Sequence, residues 1–124
     1  MTYTQEILLE GGISILRVSG HLDAHTAPDL DRALTDLLES GAFRVVLDLA
    51  ELGYISSAGL GVLTGSLGAF RERGGDLKLA AVPPNAYRVL DLLGFTRLLD
   101  LYDTRDAAIA AFAGKASGRE TRPS

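Results

Sequence analysis

The chain has 124 residues, 47% hydrophobic and 23% charged, with two histidines, no cysteine and a net charge of −4. That length supports one domain with one core, and the absence of cysteine excludes a disulfide framework, a thiolate nucleophile and a cysteine-based zinc site. Lys115, Arg119 and Arg122 against Glu120 give the C-terminal stretch +2 and leave −6 on the body, a sign that repels a phosphate backbone, so nucleic-acid binding is not expected.

The N-terminal stretch MTYTQEILLEGG lacks a basic segment followed by a long apolar run, so no signal peptide is expected and a cytoplasmic location is the default. Tyr3 to Leu9 and Ile13 to Ser19 read as two strands joined through Glu10-Gly11-Gly12, a tight-hairpin signal. Gly20 is expected to end the second strand, with His21 to His25 as a loop. Thr26 is placed to cap a helix, Pro28 suits its first turn, and Asp29 complements its dipole. Leu30, Ala33, Leu34, Leu37 and Leu38 form the buried stripe of that helix, and Gly41 closes it. His21 and His25 have a spacing that invites a metal. The helix begins only after them and no thiolate or third histidine is at hand, so no metal site is expected. Asp23, taken alone, is a turn residue.

Phe43 to Leu49 is a compact apolar run that reads as a buried strand. From Ala58 onward Leu60, Leu63, Leu67 and Phe70 recur at helical spacing, predicting a helix from Ser57 to about Arg73 that stops at Gly74-Gly75. The 19 residues from Leu52 to Phe70 carry no charge, but five glycines and four hydroxyl residues among them argue against a membrane span. Opposite the leucines lies a seam of small residues, Ser57, Gly61, Gly65 and Gly68. Glycine costs a helix interior about 1 kcal/mol relative to alanine. The seam therefore either packs closely inside the domain or admits a partner. Ser56 and Ser57 sit where the helix begins, and the unpaired N–H groups there suit either a capping hydroxyl or an anion such as phosphate.

Asp76 to Val82 is the next strand, and Pro83-Pro84 opens a helix reaching Leu93 with Ala86, Val89, Leu90 and Leu93 inward. Gly94 followed by Phe95 is a helix stop. Leu98 to Tyr102 is a short edge strand, and Asp103 or Thr104 caps a last helix that packs through Ala108, Ile109 and Phe112. From Gly114 the sequence GKASGRETRPS has no aliphatic side chain larger than alanine, so residues 114–124 are expected to be a disordered tail and residues 1–113 the domain. The order ββαβαβα, a weak strand and a final helix predicts an α/β domain. Its mixed sheet carries about four helices mainly on one side.

Leu47-Asp48-Leu49 followed by Tyr54-Ile55-Ser56-Ser57-Ala58-Gly59-Leu60-Gly61 resembles the signature of STAS-domain anti-sigma factor antagonists. Gly20-His21-Leu22-Asp23-Ala24 with Ala27-Pro28-Asp29-Leu30 resembles the family's Gly-x-Leu-Asp loop and the helix after it. The resemblance spans about Gln5 to Phe112 and implies the same STAS-like architecture. In that family the junction reads Asp-Ser-Ser/Thr-Gly-Leu and its first serine is phosphorylated. Aligned on Gly59-Leu60, the acceptor falls on Ser57, with Ser56 as the alternative. Ser56 stands where the family has aspartate, and Ala58 takes the second hydroxyl position. The resemblance implies an anti-sigma factor with serine-kinase activity as partner, with a phosphatase as a further candidate. The partner surface comprises Asp23, Ser56, Ser57, Ala58, Gly59, Leu60, Gly61 and Gly65. Phosphate adds about −1.5 to −2 charges, and Asp23 and Asp48 are expected to add like-charge repulsion.

Two other readings stand beside this phospho-switched module. One is a constitutive STAS scaffold in which Ser57 is only a cap. The other is a small enzyme, but the sequence contains no phosphate loop with lysine, no dinucleotide fingerprint and no nucleophile elbow. No catalytic residue and no cofactor are expected.

Overall fold

Gly11 and Gly12 both adopt positive φ, +57° and +80°, the conformation of the two-residue turn that matches strand twist. They join β1 (Thr4–Glu10) to β2 (Ile13–Leu22) as an antiparallel pair, with Glu10 opposite Ile13. This computed structural model describes residues 3–113, so the expected tail at 114–124 lies outside the described residues. The remaining elements are α1 (Ala27–Glu39), β3 (Arg44–Ile55), α2 (Ser57–Glu72), β4 (Asp76–Ala80), α3 (Pro84–Leu92), a single 3₁₀ turn at Phe95–Arg97, β5 (Asp100–Tyr102) and α4 (Arg105–Phe112). The five strands lie side by side in chain order, β2 to β5 all parallel. This is the mixed α/β sheet that the sequence predicts.

Alternation along the strands sets up two layers. Leu16, Val18, Val45, Leu47, Leu77 and Leu79 face α1, α2 and α3, which contribute Leu30, Leu34, Leu60, Leu63, Leu67, Phe70 and Leu90 to the main core. Ile13, Ile15, Val46, Ala80 and Tyr102 face the other way and are covered by α4 through Ala108. Three helices thus occupy one face and one the other.

Several boundaries differ from the sequence expectation, each for a local reason. β2 does not end at Gly20. Its register with β3 shifts between Arg17 and Ser19 and again between Gly20 and His21, and β3 carries one more residue than β2 at each shift. Gly20, at φ +92°, supplies the backbone freedom for the second irregularity. Both strands therefore continue past the point where their simple alternation breaks, and β3 runs six residues beyond Leu49. β4 stops at Ala80 rather than Val82, because Ala81 sits at φ +56°, a left-handed conformation that cannot continue a strand. On α3, Ala86 and Leu90 are buried as predicted. Val89 and Leu93 are not inward but 38% and 60% exposed. A nine-residue helix with buried positions four apart presents only a narrow line to the core. Thr104 caps α4, its hydroxyl accepting the Ala107 N–H at 3.0 Å.

Beneath α4 lies a buried ion-pair cluster. Lys78 Nζ donates to Asp76 at 2.9 Å and to Asp100 at 3.2 Å, and Arg71 bonds Asp76 at 2.9 Å. The Lys78 ammonium lies 4.8 Å from the Phe112 ring centre, a cation–π distance. Burial alone works to lower the Lys78 pKa, but its two carboxylate partners outweigh it and hold the group above the usual lysine range. Burial likewise works to raise Asp76, and the bonds from Lys78 and Arg71 carry it below the usual carboxylate value. The raised lysine contributes stability below its unfolded pKa, which is lost as pH rises through the folded value. The depressed aspartate contributes stability above its unfolded pKa, which is lost as pH falls through the folded value. Urea midpoints measured across pH are therefore expected to form a plateau with both an acid and an alkaline shoulder, and Asp76→Asn is expected to flatten the acid one. An unchanged acid shoulder in that variant would assign it to other carboxylates.

Candidate functional site

The extension of β2 and β3 carries two loops to the same rim of the sheet. Ser56 N–H donates to Leu22 C=O at 2.9 Å, prolonging the ladder by one rung and fixing the β3–α2 junction against the end of β2. One turn later, Gly59 lies directly on Leu22: a Cβ built on Gly59 would stand 2.7 Å from Leu22 Cγ. This close approach requires glycine and sets the gap between the first turn of α2 and the loop that begins at Asp23.

That loop is organised by Asp23. Its carboxylate accepts the N–H groups of His25 at 2.9 Å and Thr26 at 3.2 Å. Desolvation pushes its pKa upward, but these backbone donors and the Thr26 hydroxyl prevail and hold the carboxyl below its ordinary value. Asp23 therefore plays the turn role that its residue type suggests, and its charge also remains at the rim. Thr26 departs from expectation. It occupies the cap position of α1 without a side-chain cap bond; its hydroxyl instead donates to His21 C=O at 2.8 Å and accepts Asp23 N–H at 2.9 Å. The Thr26 side chain thus staples the loop closed rather than capping the helix.

Ser56 is the N-cap residue of α2 in extended backbone conformation, yet its hydroxyl caps nothing and is buried with no hydrogen-bond partner. Ser57 is the first residue of the helix and is exposed. Ala58 is half-buried beside it, and Gly61 and Gly65 continue the exposed line down α2. Added Cβ atoms at Gly61, Gly65 and Gly68 would meet nothing within 4 Å. The glycine seam therefore does not pack inside the domain. Gly61 and Gly65 lie in one wall of an open groove of about 410 Å³ against α1, with Asp31, Leu34, Thr35 and Leu38 opposite. Because those positions are open, Gly65→Ala is expected to raise the unfolding free energy by about 0.5–1 kcal/mol through helix propensity. Denaturant melts check this, and a loss of stability would show that the groove closes on the seam.

Three residues take positions other than those expected. Leu60 is 4% exposed and belongs to the core, so it anchors the helix rather than offering a contact surface. Gly59 is likewise buried, against Leu22. Asp48 points to the α4 face, where its carboxylate accepts from Arg105 at 2.9 and 3.1 Å. Its charge is neutralised there and adds no repulsion at the rim. One residue that the sequence reading did not single out belongs to this surface. Tyr54 is 52% exposed and meets the His21 ring edge-on, with centroids 5.7 Å apart. Its signal in the sequence was an aromatic residue just before the two serines. His25 and His21 join the loop through their backbone N–H and C=O groups, and no group of three potential metal ligands occurs among the described residues. No helix among the described residues is long and apolar enough to cross a membrane.

A rim built from two adjacent loops and a helix N-terminus, with an exposed hydroxyl at the first helical position, has clear relatives. The family model described as the STAS domain matches residues 5–108. The chain is 30% identical over 99 residues to the anti-sigma F factor antagonist of Paenibacillus polymyxa, covering 79% of this chain and 85% of that one. Among solved structures, an anti-sigma factor antagonist from Mycobacterium paratuberculosis superposes with a TM-score of 0.83 at 28% identity, covering 90% and 95% of the two chains. The phosphorylated form of the Bacillus cell fate determinant SpoIIAA shares the fold, with a TM-score of 0.68 at 19% identity over 89% and 98%. With the match extending from β1 into α4 and embracing both loops of the rim, the chain belongs to the STAS domain family, and the relatives it resembles in sequence are anti-sigma factor antagonists.

Proposed function

We propose that this chain is an anti-sigma factor antagonist switched by phosphorylation of Ser57. Unmodified, it binds an anti-sigma factor through the Asp23 loop, the start of α2 at Ser56, Ser57 and Ala58, and the open line of Gly61 and Gly65, and so releases the sigma factor for transcription. The same partner, acting as a serine kinase, transfers the γ-phosphoryl group of ATP to Ser57 Oγ. ADP leaves, the hydroxyl proton is lost, and the complex dissociates. The observation that carries this reading is the placement of Ser57. It is exposed at the first position of a helix whose cap residue, Ser56, leaves the terminal N–H groups without a side-chain acceptor. A phosphate there gains backbone donors and the favourable end of the macrodipole, so the domain accepts the added charge. An interface packed against the same spot does not.

The constitutive-scaffold reading keeps the fold and drops the switch, with Ser57 as no more than a cap. The cap position belongs to Ser56, and no side-chain cap bond is made at this helix, so the switched reading is favoured. Intact mass after incubation with the cognate anti-sigma factor and ATP tests it. One added phosphate is expected on the wild type and on Ser56→Ala, and none on Ser57→Ala. Labelling that persists in Ser57→Ala but vanishes in Ser56→Ala would move the acceptor to Ser56, and no labelling of the wild type would leave the scaffold.

The glycine line gives a second test. Since Gly61 has open space above it, Gly61→Leu is expected to fold with equal or higher stability and to lose partner binding by steric exclusion. Isothermal titration alongside a denaturant melt reads both effects. Retained affinity would remove Gly61 from the interface.

A further inference from the structure

β1 stands at the edge of the sheet, with no second neighbour among the described residues. Two-residue hairpins close on a hydrogen-bonded pair, here Glu10 and Ile13, and such pairs recur at every second residue. The next are Leu8 with Ile15, Glu6 with Arg17, and Thr4 with Ser19. Gln5, Ile7 and Leu9 therefore direct their N–H and C=O groups away from β2, at the open edge. Two of these three residues carry exposed apolar side chains, unusual for an edge: Ile7 is 52% exposed and Leu9 74% exposed. Glutamates flanking an edge ordinarily discourage pairing, but both of these are drawn back onto their own domain. Glu6 pairs with Arg17 at 3.5 Å and Glu10 with Arg105 at 3.7 Å.

We infer that the β1 edge is a docking surface for a second copy of this chain, pairing antiparallel about a two-fold axis to make a continuous sheet of both domains. A two-fold axis perpendicular to the sheet must pass through a residue opposite its own copy, which leaves only a few registers. Centring on Glu6 sets Glu6 against Glu6. Centring on Leu8 sets Glu6 against Glu10 twice. Like charges directly opposite are destabilising. Centring on Gln5 or Leu9 leaves much of the strand unpaired, whereas centring on Ile7, its middle residue, sets Ile7 against Ile7, Gln5 against Leu9, Glu6 against Leu8 and Thr4 against Glu10, pairing the whole strand with no like-charge pair. This register brings the exposed Ile7 and Leu9 side chains of both copies together on one face, beside the open groove of about 370 Å³ between β1 and α1. Gln5, Ile7 and Leu9 of each strand then complete about six backbone hydrogen bonds. Because the strands run antiparallel across the axis, the two Ser57 rims lie at opposite ends of the joined sheet, and each remains free.

Sedimentation equilibrium over a wide concentration range tests the association. The mass is expected to rise from 13.1 kDa toward twice that value, and the double change Ile7→Lys, Leu9→Lys is expected to hold it at the monomer. Both side chains are exposed, so at a dilution where the wild type is monomeric a thermal melt by circular dichroism should match that of the wild type. The absence of cysteine makes the register testable independently of those variants. Directly opposed hydrogen-bonded residues stand about 5.5 Å apart at Cα, within disulfide range. Under mild oxidation Ile7→Cys should form a covalent dimer, and Glu6→Cys, opposite Leu8 rather than itself, should not. A wild type that stays at 13.1 kDa at every concentration overturns the inference. So does a dimer that survives the double lysine change, or cross-linking of Glu6→Cys as readily as Ile7→Cys.

Discussion

Ser57→Asp is expected to weaken binding of the anti-sigma partner by about a hundredfold, on the order of 3 kcal/mol, while the melting temperature stays within a degree or two of wild type. The two halves of that result have different physical origins. Within the domain the new carboxylate sits at the N-terminus of a 16-residue helix whose first turn holds no acidic residue. The macrodipole favours a negative charge there by about 0.3–1 kcal/mol. In the complex the same carboxylate would be desolvated against a surface shaped for a neutral hydroxyl, beside Asp23, whose charge remains at the rim. Ser57→Ala makes the complementary case. It is expected to bind normally and to resist release by ATP. Titration calorimetry with and without ATP, paired with thermal melts, distinguishes both variants from simple misfolding. If Ser57→Asp bound normally, the start of α2 would lie outside the interface and the proposed switch would fail.

The largest stability effect is expected at a position far from this rim. Asp76 N–H donates to Phe43 C=O at 3.0 Å, and Gly75 N–H donates to Phe70 C=O at 2.9 Å. These two bonds press the backbone of Gly75 against that of Phe43, so a Cβ built on Gly75 collides with the Phe43 carbonyl group. Neither partner in the clash is the far end of a flexible side chain. Gly75→Ala must therefore displace the start of β4 from β3 or the end of α2 from the sheet. A loss of about 3 kcal/mol is expected, read as a lower urea midpoint with an unchanged slope. Gly74→Ala next door is a useful contrast. It meets no atom within 4 Å, and its penalty comes only from φ +81°, so it is expected to cost less. A loss at Gly75 no larger than that at Gly74 would show that the Phe43 backbone yields to the added Cβ at little cost.

Much of this molecule was written in local sequence. Gly11-Gly12 announced the hairpin because a two-residue turn with positive φ at both positions selects glycine. The leucine periodicity of α1 and α2 matched their buried faces, since a helix on a sheet must bury one stripe. Ser57 was legible as the first helical residue because the strand residue Ile55 and the helical leucines bracket it. These are short-range consequences of turn chemistry and period, and neighbouring residues suffice to determine them. What the tertiary structure decided were features that depend on two distant segments at once. The full lengths of β2 and β3 rest on two register shifts between strands some thirty residues apart, and each shift destroys the alternation by which a strand is recognised. The glycine seam of α2 could have faced inward or outward on sequence grounds. It is open because the leucine face alone satisfies the sheet and α1 stands off across a groove. Asp48 carried a negative charge in the same motif as Ser57, yet its side of β3 and its bond to Arg105, 57 residues away, remove it from the rim. Leu60 carried the motif's strongest apolar signal and for that reason went to the core instead of the surface. Local propensity chose the elements and their order. Which face each element turned to solvent was settled only when the sheet brought the distant segments into register, because burial is a property of the assembled layers and not of any one of them.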